Sequence, residues 1–282
     1  MRRISDFAST CLFVVGAYAI SWSIWIFAHH VHGSLHFEIL GLTVATPAQT
    51  VILLLGNIGP GLSATLVVGF AQGWMGVRCL WRGLTVWRSN WPLIAFVSLL
   101  MPFLCTIALF AYWLLGGRIA PMGNPARWIL LIVANLPFAP LWEEIGWRGF
   151  LLPRLQVRHN GLVASVLVAA VWAPWHLALY WDSSAGYIFW LLIWVSVMAI
   201  IFTWAYNRSA GSLIPVVLLH VMVNTTNMYM LHPTMSLSGM APFLLFVGVI
   251  CLAALTVILF AGSSLGKSSL AEPTSLYTKV VR

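Results

Sequence analysis

Residues 91–115 read WPLIAFVSLLMPFLCTIALFAYWLL, 25 consecutive positions without an Asp, Glu, Lys, Arg or His. A bilayer's hydrocarbon core is about 30 Å thick, and a helix crosses it with roughly 20 apolar residues. The same ruler laid along the rest of the chain gives further spans at roughly 8–29, 50–71, 127–146, 162–181, 187–206, 211–231 and 241–261. The expected fold is therefore all-α: a polytopic transmembrane helix bundle of about eight spans. Composition points the same way. The 282 residues are 61% hydrophobic and only 7% charged, where a soluble domain runs to about 45–50% and about 25%. So little polar surface cannot cover a water-soluble globule, which excludes a cytosolic enzyme, a secreted domain and a nucleic-acid reader. The formal charge of +8 belongs instead to loops on one face of a membrane. The first span is long, lacks a small-residue cleavage site and is followed by more spans, so it reads as a retained helix.

Basic residues set the expected orientation. Arg2 and Arg3 precede span one, and Arg78, Arg82 and Arg88 lie between spans two and three. Arg148, Arg154 and Arg158 follow span four, Arg208 follows span six, and Lys267, Lys279 and Arg282 follow span eight. Cytoplasmic N- and C-termini put all of these inside, leaving Arg118 and Arg127 outside. One transmembrane domain over residues 1–261 is expected, with its chemistry in about 127–231 and a polar cytoplasmic tail, 262–282, with little fixed structure. The four cysteines are scattered, form no CxxC, and read as small apolar residues.

A charge at the centre of a membrane helix costs about 2.5–3.5 kcal/mol on insertion scales, and such residues face a bundle interior or a wet cavity. Two of the six acidic residues are adjacent, in Pro140-Leu-Trp-Glu143-Glu144-Ile-Gly-Trp-Arg148-Gly149. Glu144 and Arg148 are four apart and can pair on one helix face. Glu143 points about 100° away, its own i+4 neighbour being the apolar Trp147. The pattern gives one neutralised structural carboxylate and one free carboxylate in a poorly solvated pocket, the setting of a general base or acid. The plainer reading has both glutamates paired with Arg148 and Arg154 at the interface.

Span five carries Trp172-Ala-Pro174-Trp-His176 and span seven His220-Val-Met-Val-Asn224, each with its two end residues on one face. Pro174 removes a backbone donor and bends its helix beside His176. Read singly, such histidines serve as interhelical hydrogen-bond donors. Read together, Glu143, Glu144, Arg148, His176, His220 and Asn224 are the set expected to converge, with Asn224 supplying an amide donor for an oxyanion. His29, His30, His32 and His36 cluster at the outer end of span one and read as interfacial residues, with a weak surface metal site as the alternative.

At these residues the chain resembles the CAAX-protease and bacteriocin-processing family of intramembrane endopeptidases. That family's EExxxR stands here as Glu143-Glu144-Ile-Gly-Trp-Arg148, its FxxxH as Trp172-Ala-Pro-Trp-His176 with Trp for Phe, and its HxxxN as His220-Val-Met-Val-Asn224. The likeness is strongest over residues 130–228, and Asn57-Ile-Gly-Pro60 resembles a further family feature to which no chemistry is assigned. The resemblance implies hydrolysis of a peptide bond in a membrane-associated substrate, prenylated CAAX-type proteins included. Glu143 would activate a water with His176, His220 and Asn224 would steady the oxyanion, Glu144 and Arg148 would orient the site, and Trp172 would be a packing position. The expected partners are membrane lipids and a lipidated or membrane-associated peptide, at the inner cell membrane with the site open to the cytoplasm. Oligomeric state is unreadable.

Two alternatives stay open. Glu143, His176 and His220 are three ligands suited to a catalytic zinc, yet no HExxH is present, so both a zinc enzyme and a metal-free glutamate enzyme fit. A non-catalytic membrane scaffold or bacteriocin self-immunity protein of the same fold fits as well. A rhomboid-like serine is not supported by Gly61-Leu-Ser63-Ala64, and an aspartyl dyad fails because Asp6 and Asp182 lie outside the spans. At about 1.5 Å per residue, Glu143 at the end of span four and His176 deep in span five would sit at different depths, unless residues 150–160 form an interfacial helix and span five bends.

Overall fold

The computed structural model describes residues 6–31, 38–39, 42–43, 47–85 and 91–267. Arg2, Arg3, Arg88, Lys279 and Arg282, which carry part of the orientation argument, lie outside the described residues, as do His32, His36 and residues 268–282 of the tail.

The described chain is almost wholly helical. Its helices are α1 (Asp6–Val31), α2 (Pro47–Gly56), α3 (Gly59–Arg82), α4 (Trp91–Leu114), α5 (Pro125–Asn135) and α6 (Ala139–Glu144). They continue with α7 (Leu152–Leu155), α8 (Gly161–Trp175), α9 (Ala185–Arg208), α10 (Ile214–Thr226), α11 (His232–Ser238) and α12 (Ala241–Ala261). A two-residue antiparallel ladder pairs Glu38–Ile39 with Leu42–Thr43. Among the described residues seven helices are long and apolar enough to cross a membrane, and α5 with the segment Ala139–Leu155, bent by 42°, makes an eighth. The chain is an integral membrane protein by this measure.

Span four departs from expectation in a way that matters. It does not stop near residue 146. After α6 it continues as a π-helical stretch, Ile145–Leu151, and then α7 to Leu155. Arg148, expected to follow the span among the loop cations, is instead fully buried within the continued helix. From Leu155 back to Glu143 is 12 residues, about 18 Å of helix, and from Gly161 up to His176 is 15 residues, about 22 Å. The two groups therefore come to similar depth without an interfacial helix over 150–160. The break is instead at residues 136–138, between α5 and α6.

Packing places α10 at the centre. Of the most apolar window in the span Ile214–Ser238, 78% is buried, against 28% for α1 and for α12. It lies along α4, α5, α6 and α9, while α1 lies along α3, α8 along α9, and α12 against both α4 and α9. Outward side chains such as Phe70, Phe110, Leu259 and Phe260 are apolar and exposed, as a lipid-facing surface requires. α3 breaks at Gly73, whose φ of 68° is a left-handed value. The residues beyond it fold back so that Trp81 Nε1 donates to Thr65 Oγ1 at 3.1 Å.

The tail's first residues are fixed, contrary to expectation. Leu265 is completely buried, Lys267 Nζ donates to the Gln156 carbonyl at 2.7 Å, and Asn207 Nδ2 donates to the carbonyls of Ser264 and Leu265. An apolar anchor and polar partners on α9 and at the end of α7 outweigh a Ser-rich local composition.

Two glycines let helix backbones touch near the centre. A Cβ on Gly61 would lie 2.7 Å from the Trp142 carbonyl oxygen, and one on Gly146 would lie 2.6–2.8 Å from Pro60. These contacts clamp the start of α3 to the glutamate-bearing segment. Gly146→Val is expected to lower stability by about 1–3 kcal/mol, read as a lower thermal unfolding midpoint of the detergent-purified protein. Gly248→Ala, where an added Cβ meets nothing within 4 Å, should leave the midpoint unchanged or slightly raised.

Candidate functional site

Glu143 and Glu144 close α6, and both are buried. Glu144 Oε1 accepts from Arg148 Nη1 at 2.9 Å and from His220 Nδ1 at 2.7 Å. The guanidinium is sandwiched between aromatic faces, 4.2 Å from the Trp172 ring centroid and 4.4 Å from that of Phe202. Cation–π attraction is strongest where water is excluded, as here. Glu144 thus neutralises Arg148 and also fixes the orientation of an imidazole from α10, 76 residues away in the chain.

Glu143 is held differently. Its Oε2 accepts from Trp172 Nε1 at 2.7 Å, and its Oε1 lies 4.0 Å from His220 Nε2. That separation is too long for a direct hydrogen bond and leaves room for an oxygen shared between the two groups. The neighbour expected from helical spacing, Trp147, packs instead on Phe13 and Trp175, because the π-helical stretch shifts the register after Glu144. Trp172 is therefore more than a packing residue. An indole N–H buried in an apolar bundle needs an acceptor, and that requirement was the available signal.

His176 begins the 3-10 turn that follows α8. Its Nδ1 lies 3.0 Å from the Trp172 carbonyl oxygen. A carbonyl only accepts, so the proton is on Nδ1, and in the neutral ring Nε2 is the acceptor. Around the bend at Pro174, side chains take up backbone carbonyls: Tyr18 donates to Val171, and Trp22 to Trp175. The rings of His176 and His220 lie 5.8 and 5.9 Å from the Trp172 ring, one on each motif helix.

Glu143, His176, His220 and Asn224 line one cavity of about 1190 Å³ including its open mouth. Glu144 and Arg148 do not line it; they lie behind the wall. Most of the remaining lining is apolar or aromatic, including Leu179, Leu191, Met198, Phe202 and Phe243. Further polar lining residues, to which the sequence attached no chemistry, are Asn57, Asn135, Tyr180, Tyr187, Asn227 and His232. His232 was assigned to an outer loop, but it opens α11 and reaches the cavity. Apart from Asn57 in Asn57-Ile-Gly-Pro60, these amides and tyrosines belong to no motif, so no spacing marked them.

Among the described residues no three His, Cys, Asp or Glu side chains form a group that could hold a metal ion. The trio Glu143, His176 and His220 is thus not gathered as a ligand set; the bonds made by Glu143 Oε2 and by the two Nδ1 atoms leave Glu143 Oε1 and both Nε2 atoms without a protein hydrogen bond among the described residues. Near the end of α1, His29 Nδ1 approaches Asp182 Oδ2 at 3.2 Å.

The buried pair sets up a measurable coupling. Removing one partner of such a pair costs about 3–5 kcal/mol because the other charge stays buried, whereas removing both costs less. Glu144→Gln and Arg148→Met are each expected to lower the unfolding midpoint in detergent sharply, and the double variant to lose less than the sum. Strict additivity would show that the two charges do not depend on one another.

Residues 125–226 match a family model described as Type II CAAX prenyl endopeptidase Rce1-like, and all three motifs fall inside that match. The chain is also 30% identical over 156 residues to CAAX prenyl protease 2 of Methanococcus maripaludis. That alignment covers 48% of this chain and 55% of the relative, so the matched part spans about half the length of each protein. The resemblance read from EExxxR, WxxxH and HxxxN is the one these comparisons return.

Proposed function

We propose that the chain is an intramembrane endopeptidase that hydrolyses a peptide bond of a membrane-associated substrate, prenylated CAAX-type proteins included. It works at the inner cell membrane, with its cavity open to the cytoplasm and both termini on that side. The observation that carries this reading is the division of labour between adjacent glutamates. Glu144 is bound to Arg148 and His220 behind the wall, while Glu143 faces the cavity with one oxygen that, among the described residues, accepts from no protein donor. Similarity to the prenyl endopeptidases over residues 125–226 supports the substrate class.

In the reaction, Glu143 Oε1 accepts one hydrogen of a water and His176 Nε2 accepts the other. The water oxygen attacks the scissile carbonyl carbon, Glu143 takes its proton, and the carbonyl electron pair moves onto oxygen. That oxyanion accepts hydrogen bonds from the Asn224 amide and from His220 Nε2–H, the ring then carrying protons on both nitrogens with Glu144 against Nδ1. The tetrahedral intermediate expels the amine, which takes the proton back from Glu143. Trp172 keeps the carboxylate turned to the cavity by holding its other oxygen. The surrounding apolar wall excludes bulk water, so each of these interactions acts in a low dielectric.

Purified wild-type protein in liposomes is expected to cleave a farnesylated CAAX peptide. Glu143→Ala, His176→Ala and His220→Ala should each lose about 10²–10⁴-fold or more in turnover, and His220→Ala, which strips a hydrogen bond from the buried Glu144, should also lower the unfolding midpoint. Asn224→Ala should lose about 10²–10³-fold. Full activity in Glu143→Ala would remove the mechanism, and a folded wild-type protein inert on membrane peptides would leave the scaffold or self-immunity reading. Assay with a strong chelator, followed by added zinc, separates a glutamate-dependent enzyme from a zinc-dependent one.

A further inference from the structure

The proposed reaction accounts for one end of the cavity and leaves Asn57 and Asn135 unexplained. Both are buried, at 8% exposure each, and both line the same cavity as Glu143. Each sits at a helix break: Asn57 in the turn between α2 and α3, and Asn135 at the end of α5, before the bend into α6. Their amide groups are turned the same way. Asn57 Nδ2 donates to the carbonyls of Leu53 and Leu54 at 3.3 and 3.2 Å, and Asn135 Nδ2 donates to the Leu131 carbonyl at 2.8 Å, with the Met228 sulfur at 3.6 Å. With the NH2 groups committed to their own helices, the oxygens Oδ1 remain as acceptors, and among the described residues neither accepts a hydrogen bond.

We infer that Asn57 and Asn135 form a substrate-backbone subsite, accepting hydrogen bonds from peptide N–H groups of an extended chain on the approach to Glu143. This rests on the peptidase reading above and adds to it the element that grips the main chain. The physical need is specific. A peptide drawn into an apolar cavity carries N–H donors whose burial without an acceptor costs a few kcal/mol each. Most carbonyls of the helical walls are used within the helices. Of the groups already assigned, Glu143 and His176 are engaged with water and His220 acts as a donor. The two carboxamide oxygens at helix breaks are acceptors held ready for an incoming main chain, because their own NH2 groups are fixed on helix carbonyls. The Gly61–Trp142 and Gly146–Pro60 contacts hold the start of α3, and with it Asn57, against the segment that bears Glu143. Asn57 and Asn135 are positioning residues here, touching substrate away from the reacting atoms.

The test uses the full chain in liposomes and a farnesylated CAAX peptide, beside matched peptides in which one amide next to the scissile bond is replaced by an ester, which deletes a single N–H. For wild-type protein at least one ester peptide is expected to show KM raised about tenfold with kcat little changed, the loss of about one hydrogen bond. Asn57→Leu or Asn135→Leu should raise KM for the all-amide peptide by a similar factor and abolish the amide–ester difference. The ester series on wild-type protein stands even where a variant folds poorly. If wild-type protein cleaves all the peptides with equal KM, or the folded variants keep the wild-type amide–ester ratio, the subsite is refuted while the peptidase reading stands. If wild-type protein cleaves none of them, the peptidase reading falls and the subsite with it.

Discussion

A guanidinium cannot be buried among aromatic rings unless an anion comes with it, and in this protein that anion is Glu144. The pairing with Arg148 makes the centre of the bundle tolerable, and most of the site follows from it. Glu144 also accepts from His220, so α10 cannot rotate without breaking a bond to a buried charge. Arg148 in turn rests on Trp172 and Phe202, which ties α8 and α9 to the same point. Desolvation makes each of these bonds expensive to break, and that expense fixes the side chains of four segments relative to one another.

Trp172 is the second organising group. Its indole N–H reaches Glu143, its carbonyl receives His176, and its ring faces both the Arg148 guanidinium and the His220 ring. A phenylalanine at this place, as the related motif has it, would keep the ring contacts but lose the donor. The substitution thus changes how the Glu143 carboxylate is held while preserving the shape around it.

Much of this was legible in the sequence, and the parts that were not have physical reasons. Span number and near-boundaries follow from runs of apolar residues, because burial in lipid is a property of local composition. The convergence of Glu143, His176 and His220 is readable because ionisable side chains in apolar helices must face inward. Span four runs past its expected end at residue 146: Arg148 follows the apolar run and looks like a loop cation by composition, and its pairing with Glu144 within the continued helix makes it an interior residue. The π-helical register after Glu144 likewise depends on tertiary packing, so Trp147 was assigned as the neighbour of Glu143 in place of Trp172. Asn57 and Asn135 are single amides at helix breaks on distant segments, and nothing in local spacing connects them. The short fixed stretch around Leu265 depends on partners 57 to 111 positions earlier in the chain.

The Glu144–Arg148 pair has one more consequence, for biogenesis. Its partners lie four residues apart on one segment, so the ribosome delivers both charges together, long before His220 has been synthesised. The segment can therefore enter the bilayer already neutral, carrying its own counter-ion through the translocon. His220 then arrives with a later helix and docks onto a carboxylate that is already in place, which makes assembly of the cavity-bearing part of the bundle an ordered event in translation.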